Sequence, residues 1–260
     1  MLFNKTKIFL LASSLLCGIT TSTFAAENNA AEHNTILKIK HSEPYTSYLK
    51  PNELADSLAL LPPPPQKDSP AFAADQLAYK KGHTLINTPR WALAQSDANL
   101  ADSNVGKPFE KALGVTISEK DTPITYHLIR QVMVDSGVLG TNLAKDHYKR
   151  TRPFVYYHTQ TCWPQDDHLL KNDGSYPSGH SAFGWSTALI LSEMFPQKQN
   201  QILQRGYDFG ESRVICGAHW QSDVDAGRII GAEVVAKLHT NQQFMQDFQK
   251  SKKELTQKMK

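Results

Sequence analysis

Three short segments carry cationic or imidazole side chains at positions where a helix packed in a core would not place them. In the first segment, Lys145 is followed seven residues later by Arg152 and then by Pro153. Seven residues span about two helical turns, so both cations should lie on one face, about 10 Å apart along the axis. Two long side chains at that spacing can converge on one anion, although a solvated helix face shows the same pattern.

The second segment, residues 174–180, precedes an apolar stretch and contains Ser178, Gly179 and His180. A helix that begins here leaves its first backbone N–H groups without intrahelical partners, which makes its start a natural site for an oxyanion. Gly179 allows close approach to the backbone, and His180 in the first turn would lie over the same anion. The alternative interpretation is a capped helix that happens to carry a histidine.

In the third segment, Arg213 is followed by His219 and Asp223. Residues 216–218 are expected to end one helix, so His219 lies at or just before the start of the next. His219 and Asp223 are then one turn apart, where the carboxylate can hold one ring nitrogen and leave the other as a lone-pair nucleophile. An ordinary contact between residues four apart on a surface helix is the alternative.

Together the segments supply three cations, a helix start, one imidazole oriented by a carboxylate and a second imidazole. Phosphoryl transfer through a phosphohistidine requires these groups, because it needs charge neutralisation, a nucleophile and a proton donor. The chain contains neither a Walker loop nor a His-Glu-x2-His zinc motif. We therefore expect no metal and no other cofactor, since the arginines would repel a metal ion at this site.

The combination resembles the tripartite signature of the type 2 phosphatidic acid phosphatase superfamily. The matching residues are Lys145, Arg152-Pro153, Pro177 to His180, Ser212-Arg213, His219 and Asp223. Within that superfamily, residues 174–180 and 206–225 are most similar to the secreted bacterial class A nonspecific acid phosphatases. The likeness extends from about the proline tract to the C-terminus, and it implies a mainly α, single compact helical domain.

The resemblance also implies an activity and a role for each residue. It implies a metal-independent acid phosphatase that acts on phosphate monoesters and assembles as a homodimer. His219 would attack phosphorus, Asp223 would orient it, and His180 would protonate the departing alcohol. The phosphate oxygens would be held by Lys145, Arg152, Arg213, Ser178 and the Gly179 amide.

The sequence departs from the class A pattern in two places, of which the first keeps a hydroxyl group and the second leaves the substrate open. Ser181 follows His180 where threonine is usual, and Val134 precedes Asp135 where an acidic pair is common. The second stretch lies near the mouth of the site in this family. A nucleotide diphosphohydrolase or a phosphotransferase with the same site therefore remains an alternative. A vanadium-dependent haloperoxidase is a further alternative, because it shares the signature. Phosphate binding without turnover is disfavoured, because it requires neither Asp223 nor two imidazoles.

The N-terminus has the layout of an export signal. Two lysines precede an apolar run at residues 8–19, and small residues follow, which predicts a signal peptide over residues 1–25. We therefore expect a periplasmic or secreted protein that leaves the membrane after cleavage. Cys162 and Cys216 then remain as an even pair in an exported protein, which favours a disulfide over two buried thiols.

The remaining sequence is expected to be helical after an irregular, proline-containing segment over residues 26–69. Residues 70–260 should form the phosphatase domain, beginning with a helix from Pro70 whose buried stripe includes Leu77. One long helix is predicted over residues 122–152, and others over 178–195, 200–216, 222–239 and 242–260. A formal net charge of +3 and a mean hydropathy of −0.44 exclude a polytopic membrane protein. They also give no support for nucleic-acid binding.

Overall fold

The computed structural model of the protein describes residues 46–101 and 104–259, which contain helices and no β-strand. The mainly α class is confirmed over these ranges, while the predicted signal peptide lies outside the described residues. The first helices are α1 (Ser57–Leu60), α2 (Pro70–His83), α3 (Pro89–Ala98), α4 (Lys107–Leu113), α5 (Pro123–Val132) and α6 (Asn142–Tyr148). They are followed by α7 (Pro153–Tyr156), α8 (Asp167–Leu170), α9 (Gly179–Met194), α10 (Gln199–Ile215), α11 (Gln221–Leu238) and α12 (Gln242–Lys258).

Helix α9 lies at the centre of the fold. Its residues are small or apolar around most of the circumference, which is typical of a helix buried on all sides. The buried side chains include Ala182, Phe183, Ile190 and Leu191, and α9 packs against both α10 and α11. Because α9 begins at Gly179, this packing fixes the position of the chain that carries Ser178 and His180.

Helix α2 begins at Pro70, after the cap Ser69, as the sequence predicts, but it buries a different face. The Ser69 hydroxyl oxygen accepts a hydrogen bond from the Phe72 backbone N–H at 3.1 Å. Leu77, which was expected to be buried, is 52% exposed, and the buried face holds Phe72, Asp75, Tyr79 and Gly82. The predicted stripe is wrong because Phe72 and Tyr79 pack against Trp220.

The long helix predicted over residues 122–152 is divided into three parts. After α5 the chain forms a wider helical turn, Met133–Leu139, with π-type hydrogen bonding, and α6 follows it. Helix α6 ends because Lys149 adopts the left-handed conformation with φ of 42°. Arg152 is extended, as expected for a residue that precedes proline. Lys145 and Arg152 therefore do not share a helix face, contrary to the prediction.

The described part of the irregular N-terminal segment is held to the helical body by specific contacts. Asp135, on the turn after α5, accepts hydrogen bonds from the backbone N–H groups of Tyr48 and Leu49 at 3.1 and 3.0 Å. The Tyr176 hydroxyl donates to the carbonyl of Pro62 at 2.6 Å. The proline tract thus lies against the loop that leads into α9. None of the helices in the described ranges combines the length and apolar character needed to cross a membrane.

The predicted Cys162–Cys216 disulfide is present in the structure, between two buried residues. The backbone N–H of Cys162 also donates to the carbonyl of Cys216 at 2.9 Å. Cys216 follows the last residue of α10 and precedes His219 by three residues. The bridge therefore restrains the loop that carries His219.

Cys162→Ser should lower the free energy of unfolding by about 2–4 kcal/mol, because the bridge joins residues 54 apart in sequence. Urea unfolding of the purified variant and of the wild-type protein, each with and without reductant, measures the difference. Reduced wild-type protein should match the variant. A wild-type stability that does not respond to complete reduction would contradict the expectation.

Candidate active site

Ser178 is the N-cap of α9, and its hydroxyl group is arranged to donate. Its Oγ accepts hydrogen bonds from the backbone N–H of Ser181 at 3.2 Å and from the Ser181 hydroxyl at 2.9 Å. A serine hydroxyl has two acceptor lone pairs and one proton, so its own O–H can still donate to an anion. The backbone N–H of Ser178, however, donates to the Asp223 carbonyl at 2.9 Å. This N–H therefore lacks an intrahelical partner, as expected, but it is bonded to another helix and does not face an anion.

Gly179 is required by packing as well as by its place in the predicted site. A Cβ added here would overlap the carbonyl oxygen of Gly137, on the turn after α5. The close approach brings residues 133–139 against the first turn of α9. The same lack of a side chain removes a steric obstacle to a small anion at the Gly179 amide.

Lys145 and Arg152 converge through a shared carboxylate. The Oδ2 atom of Asp173 accepts hydrogen bonds from Lys145 Nζ at 3.2 Å and from an Arg152 terminal nitrogen at 2.7 Å. Lys145 Nζ also donates to the Gly174 carbonyl at 2.5 Å, and Arg152 Nε donates to the Asp173 carbonyl at 3.0 Å. Both cations are almost fully buried. Residues of the loop before α9 therefore hold these two side chains, which were predicted from the sequence to lie on one helix.

The contacts of His219 determine which ring nitrogen carries the proton. Nε2 lies 2.9 Å from an Arg152 terminal nitrogen. A guanidinium group can only donate, so Nε2 accepts and has no proton. The proton of the neutral ring is then on Nδ1, which lies 3.4 Å from Asp223 Oδ2. This contact is a longer electrostatic one, since no hydrogen bond to Nδ1 forms within the described residues.

The surroundings of His219 strongly favour its neutral form. The ring is 2% exposed, and burial lowers its pKa well below the ordinary value. The positive charges of Arg152, Lys145, Arg213 and His180 lower that pKa further, as like charges do at short range. All four were predicted from the sequence to surround one anion. His219 therefore resists protonation at Nε2 as the pH falls.

Asp223 is fully buried and is held by two donors. Oδ2 accepts from the Trp220 backbone N–H at 2.8 Å, and Oδ1 accepts from Arg150 at 2.5 Å. Burial raises the pKa of this carboxyl to about 6, while the Arg150 guanidinium acts in the opposite direction. The predicted proximity of His219 and Asp223 is present, with His219 two residues before the start of α11.

Arg213 is a buried cation with incomplete hydrogen bonding. It is 2% exposed, and its Nε and one terminal nitrogen find no partner among the described residues. Burial lowers its pKa to about 10, with a further contribution from Arg152. Buried unpaired donors of this kind are costly, so the site is suited to receive an anion.

His180 lies on the first turn of α9 and is half-buried. Its Nε2 is 3.4 Å from the carbonyl of Ala98, at the end of α3, and its ring stacks on Phe209 at a centroid distance of 6.2 Å. Its helix is joined to the third segment, because the backbone N–H of the N-cap Ser178 donates to the Asp223 carbonyl at 2.9 Å. The structure thus brings the three predicted segments together.

Three charged residues at this site were not predicted from the sequence. Asp173 joins the two cations, and Arg150 and Asp75 connect to Asp223. Asp75 could have been suspected, because an acidic residue between Phe72 and Tyr79 on the buried face of a helix requires a partner. Arg150 gives no such signal in the sequence, where it is one of several cations in a basic stretch.

Comparison with known proteins agrees with this geometry. The model of the PAP2 superfamily matches residues 127–246, which include every predicted site residue. A non-specific acid phosphatase from Providencia stuartii is 47% identical over 236 residues, covering 91% of this chain and 92% of the relative. The chain belongs to the class A non-specific acid phosphatases of the PAP2 superfamily.

A second relative supports this membership. The non-specific acid phosphatase of Salmonella typhimurium is 43% identical over 223 residues, covering 86% of this chain and 89% of the relative. The crystal structure of a bacterial vanadium-dependent iodoperoxidase matches with a TM-score of 0.49 and 16% identity, covering 77% of this chain and 60% of that chain. A likeness this remote supports no statement about activity. The family resemblance inferred from the three motifs is confirmed.

Arg213→Met should raise the free energy of unfolding by about 1 kcal/mol in phosphate-free buffer, because it removes a buried charge with unpaired donors. The same variant should lose most of the thermal stabilisation that inorganic phosphate gives to the wild-type protein. Thermal and urea unfolding with and without phosphate measure both effects.

Arg205→Met is the matched control, because Arg205 is a partly buried guanidinium paired with the buried Asp97. This variant should lower the free energy of unfolding by about 3 kcal/mol, since it leaves a buried carboxylate unpaired. It should keep its stabilisation by phosphate. A loss of stability in Arg213→Met as large as in Arg205→Met would contradict the assignment of Arg213 to an anion.

Proposed function

We propose that the protein is an exported acid phosphatase that hydrolyses phosphate monoesters through a phosphohistidine at His219, without a metal. The observation that carries the proposal is the state of His219, whose Nε2 is unprotonated and accepts a hydrogen bond from Arg152 at 2.9 Å. Family membership supports the phosphatase activity. The signal-like N-terminus and the disulfide support export, because disulfides persist in oxidising compartments.

Binding of the phosphate group uses the buried cations. Lys145, Arg152 and Arg213 would neutralise the charge on the phosphate oxygens, with further hydrogen bonds from the Ser178 hydroxyl and the Gly179 amide. A monoester presents three oxygens for these donors and carries one organic substituent. Donors that are already in place require no reorganisation during the reaction, which is the main source of electrostatic catalysis.

In the first step, Nε2 of His219 bonds to phosphorus while the P–O bond to the organic group breaks. His180 delivers a proton to the departing oxygen, which leaves as an alcohol. The phosphorylated ring is positively charged, and the adjacent Asp223 carboxylate stabilises it. The nearby cations keep His219 neutral before the reaction, so the nucleophile is ready at acidic pH.

In the second step, a water molecule attacks the phosphorus of the phosphohistidine. His180 accepts a proton from that water, the P–N bond breaks, and its electron pair returns to Nε2. Inorganic phosphate leaves, and both imidazoles regain their starting states. The two steps use one acid–base residue in opposite directions, as microscopic reversibility requires.

The pH profile of kcat/KM should be bell-shaped, with its maximum on the acidic side of neutrality. The acidic limb arises when His219 and Asp223 take up protons. The lowered pKa of His219 puts its protonation at low pH, whereas Asp223, with a pKa raised to about 6, takes up its proton first as the pH falls. The basic limb arises when the proton that His180 must deliver is lost. Hydrolysis of an aryl phosphate over a range of buffers at constant ionic strength measures the profile. A maximum above neutrality would contradict the proposal.

His219→Ala should abolish the trapping of radiolabelled phosphate on the protein after acid-free quenching. His180→Ala should still form the labelled intermediate from esters with good leaving groups, but it should lose about 100-fold or more with poor ones. EDTA should leave the wild-type signal unchanged. Equal losses for good and poor leaving groups would remove His180 as the acid, and full inactivation by EDTA with rescue by zinc or magnesium would overturn the metal-free mechanism.

A further inference from the structure

We propose that Arg150 and Asp75 are positioning residues that set the charge and orientation of Asp223, and through it the proton on His219. The inference rests on the proposed function, since it concerns the same nucleophile. Neither residue belongs to the three motifs, and neither contacts the predicted phosphate ligands Lys145 or Arg213 in the structure's hydrogen bonds and ion pairs.

Arg150 bridges two carboxylates with its planar guanidinium. One terminal nitrogen donates to Asp223 Oδ1 at 2.5 Å, and the other donates to Asp75 Oδ2 at 2.7 Å. The fork of an arginine can hold two acceptors at a fixed separation, whereas a lysine presents one point charge. The side chain reaches this position from the loop between α6 and α7, and Asp75 reaches it from α2.

Asp75 connects the bridge to the backbone beside Asp223. Its Oδ1 accepts from the Ser222 backbone N–H at 2.8 Å, and its Oδ2 accepts from the Ser222 hydroxyl at 2.7 Å. Arg150 also donates to Ser222 Oγ at 2.7 Å. The residue immediately before Asp223 is therefore held on both its main chain and its side chain. This network ties the first turn of α11 to α2.

The network is largely shielded from water. The side chains of Arg150, Asp75 and Asp223 are 9%, 3% and 0% exposed. The guanidinium also lies over the Trp220 ring, 5.6 Å from its centroid. Charge-assisted hydrogen bonds are strong in such surroundings, and removal of one partner leaves the others uncompensated. A substitution at Arg150 should therefore change the surroundings of Asp223 without altering the residues that are predicted to bind phosphate.

The two residues act on Asp223 with opposite signs. Arg150 favours its ionised form, whereas the negative charge of Asp75 disfavours it. The other titratable groups that face Asp223 are His219, Tyr176 and Lys145. An ionised Asp223 keeps the His219 proton on Nδ1 and leaves Nε2 unprotonated. Because His219 and Asp223 are adjacent, they titrate as a pair, and a change in nearby charge moves both pKa values in one direction.

The test is the acidic limb of the kcat/KM profile in three variants. Arg150→Met should move this limb to higher pH by about one unit, with a loss of about tenfold at the acidic end and a smaller loss near neutrality. Asp75→Asn should move it to lower pH, because the near-isosteric amide removes a negative charge. Arg228→Met is the matched control, since Arg228 also bridges two carboxylates, Glu211 and Asp225, and it should leave the limb in place.

Opposite shifts in the two variants support the proposal. Equal losses at every pH, with the limb unmoved, would show a purely structural role and overturn it. Near-ultraviolet circular dichroism checks folding, and if Arg150→Met does not fold, Arg150→Lys and Asp75→Asn decide. The lysine variant, which keeps the positive charge, should move the limb by less than about half a pH unit. A limb unmoved in Asp75→Asn would then count against the proposal. Trapping of phosphate on the wild-type protein tests the proposed function. The shifts of the acidic limb between variants test the network, so the two proposals can fail separately.

Discussion

Buried positive charge around a single neutral imidazole is the constraint on which this structure depends. Lys145, Arg152 and Arg213 are each nearly inaccessible to solvent, and each suppresses the protonation of His219. Full neutralisation by internal carboxylates would remove the attraction for an anion. The protein instead shares one carboxylate, Asp173, between two of the cations and leaves donors of the third without partners in the described chain.

Such an arrangement is unfavourable for folding, because desolvated charges destabilise the compact state unless they are paired. The surrounding fold compensates through rigid packing. The central helix α9 is buried on nearly all sides, a glycine allows its first turn to contact the turn after α5, and a disulfide restrains the loop before His219. These features leave the cations little room to move apart, so the repulsion between them is retained in the folded protein.

The helices and their ends could largely be predicted from local sequence patterns. The predictions that failed did so because of tertiary contacts. The starts of α2 and α9 were predictable because serine caps act on the next three residues. The single long helix over residues 122–152 was wrong, since a wider turn at Met133–Leu139 and a left-handed Lys149 divide this part of the chain. The predicted buried face of α2 was also wrong. Phe72 and Tyr79 pack against Trp220, which is distant in sequence, whereas Leu77 is exposed.

The sequence by itself determined the helical class, the family and the chemical inventory of the site, because motif spacing and residue type are local properties. It also indicated the Cys162–Cys216 pair. Only the tertiary structure decided how Lys145 and Arg152 converge and which nitrogen of His219 is unprotonated. It also showed that Asp173, Arg150 and Asp75 belong to the site. Charges far apart in the chain have no sequence signature for their pairing, since burial and distance, which set their energies, exist only after the chain has folded.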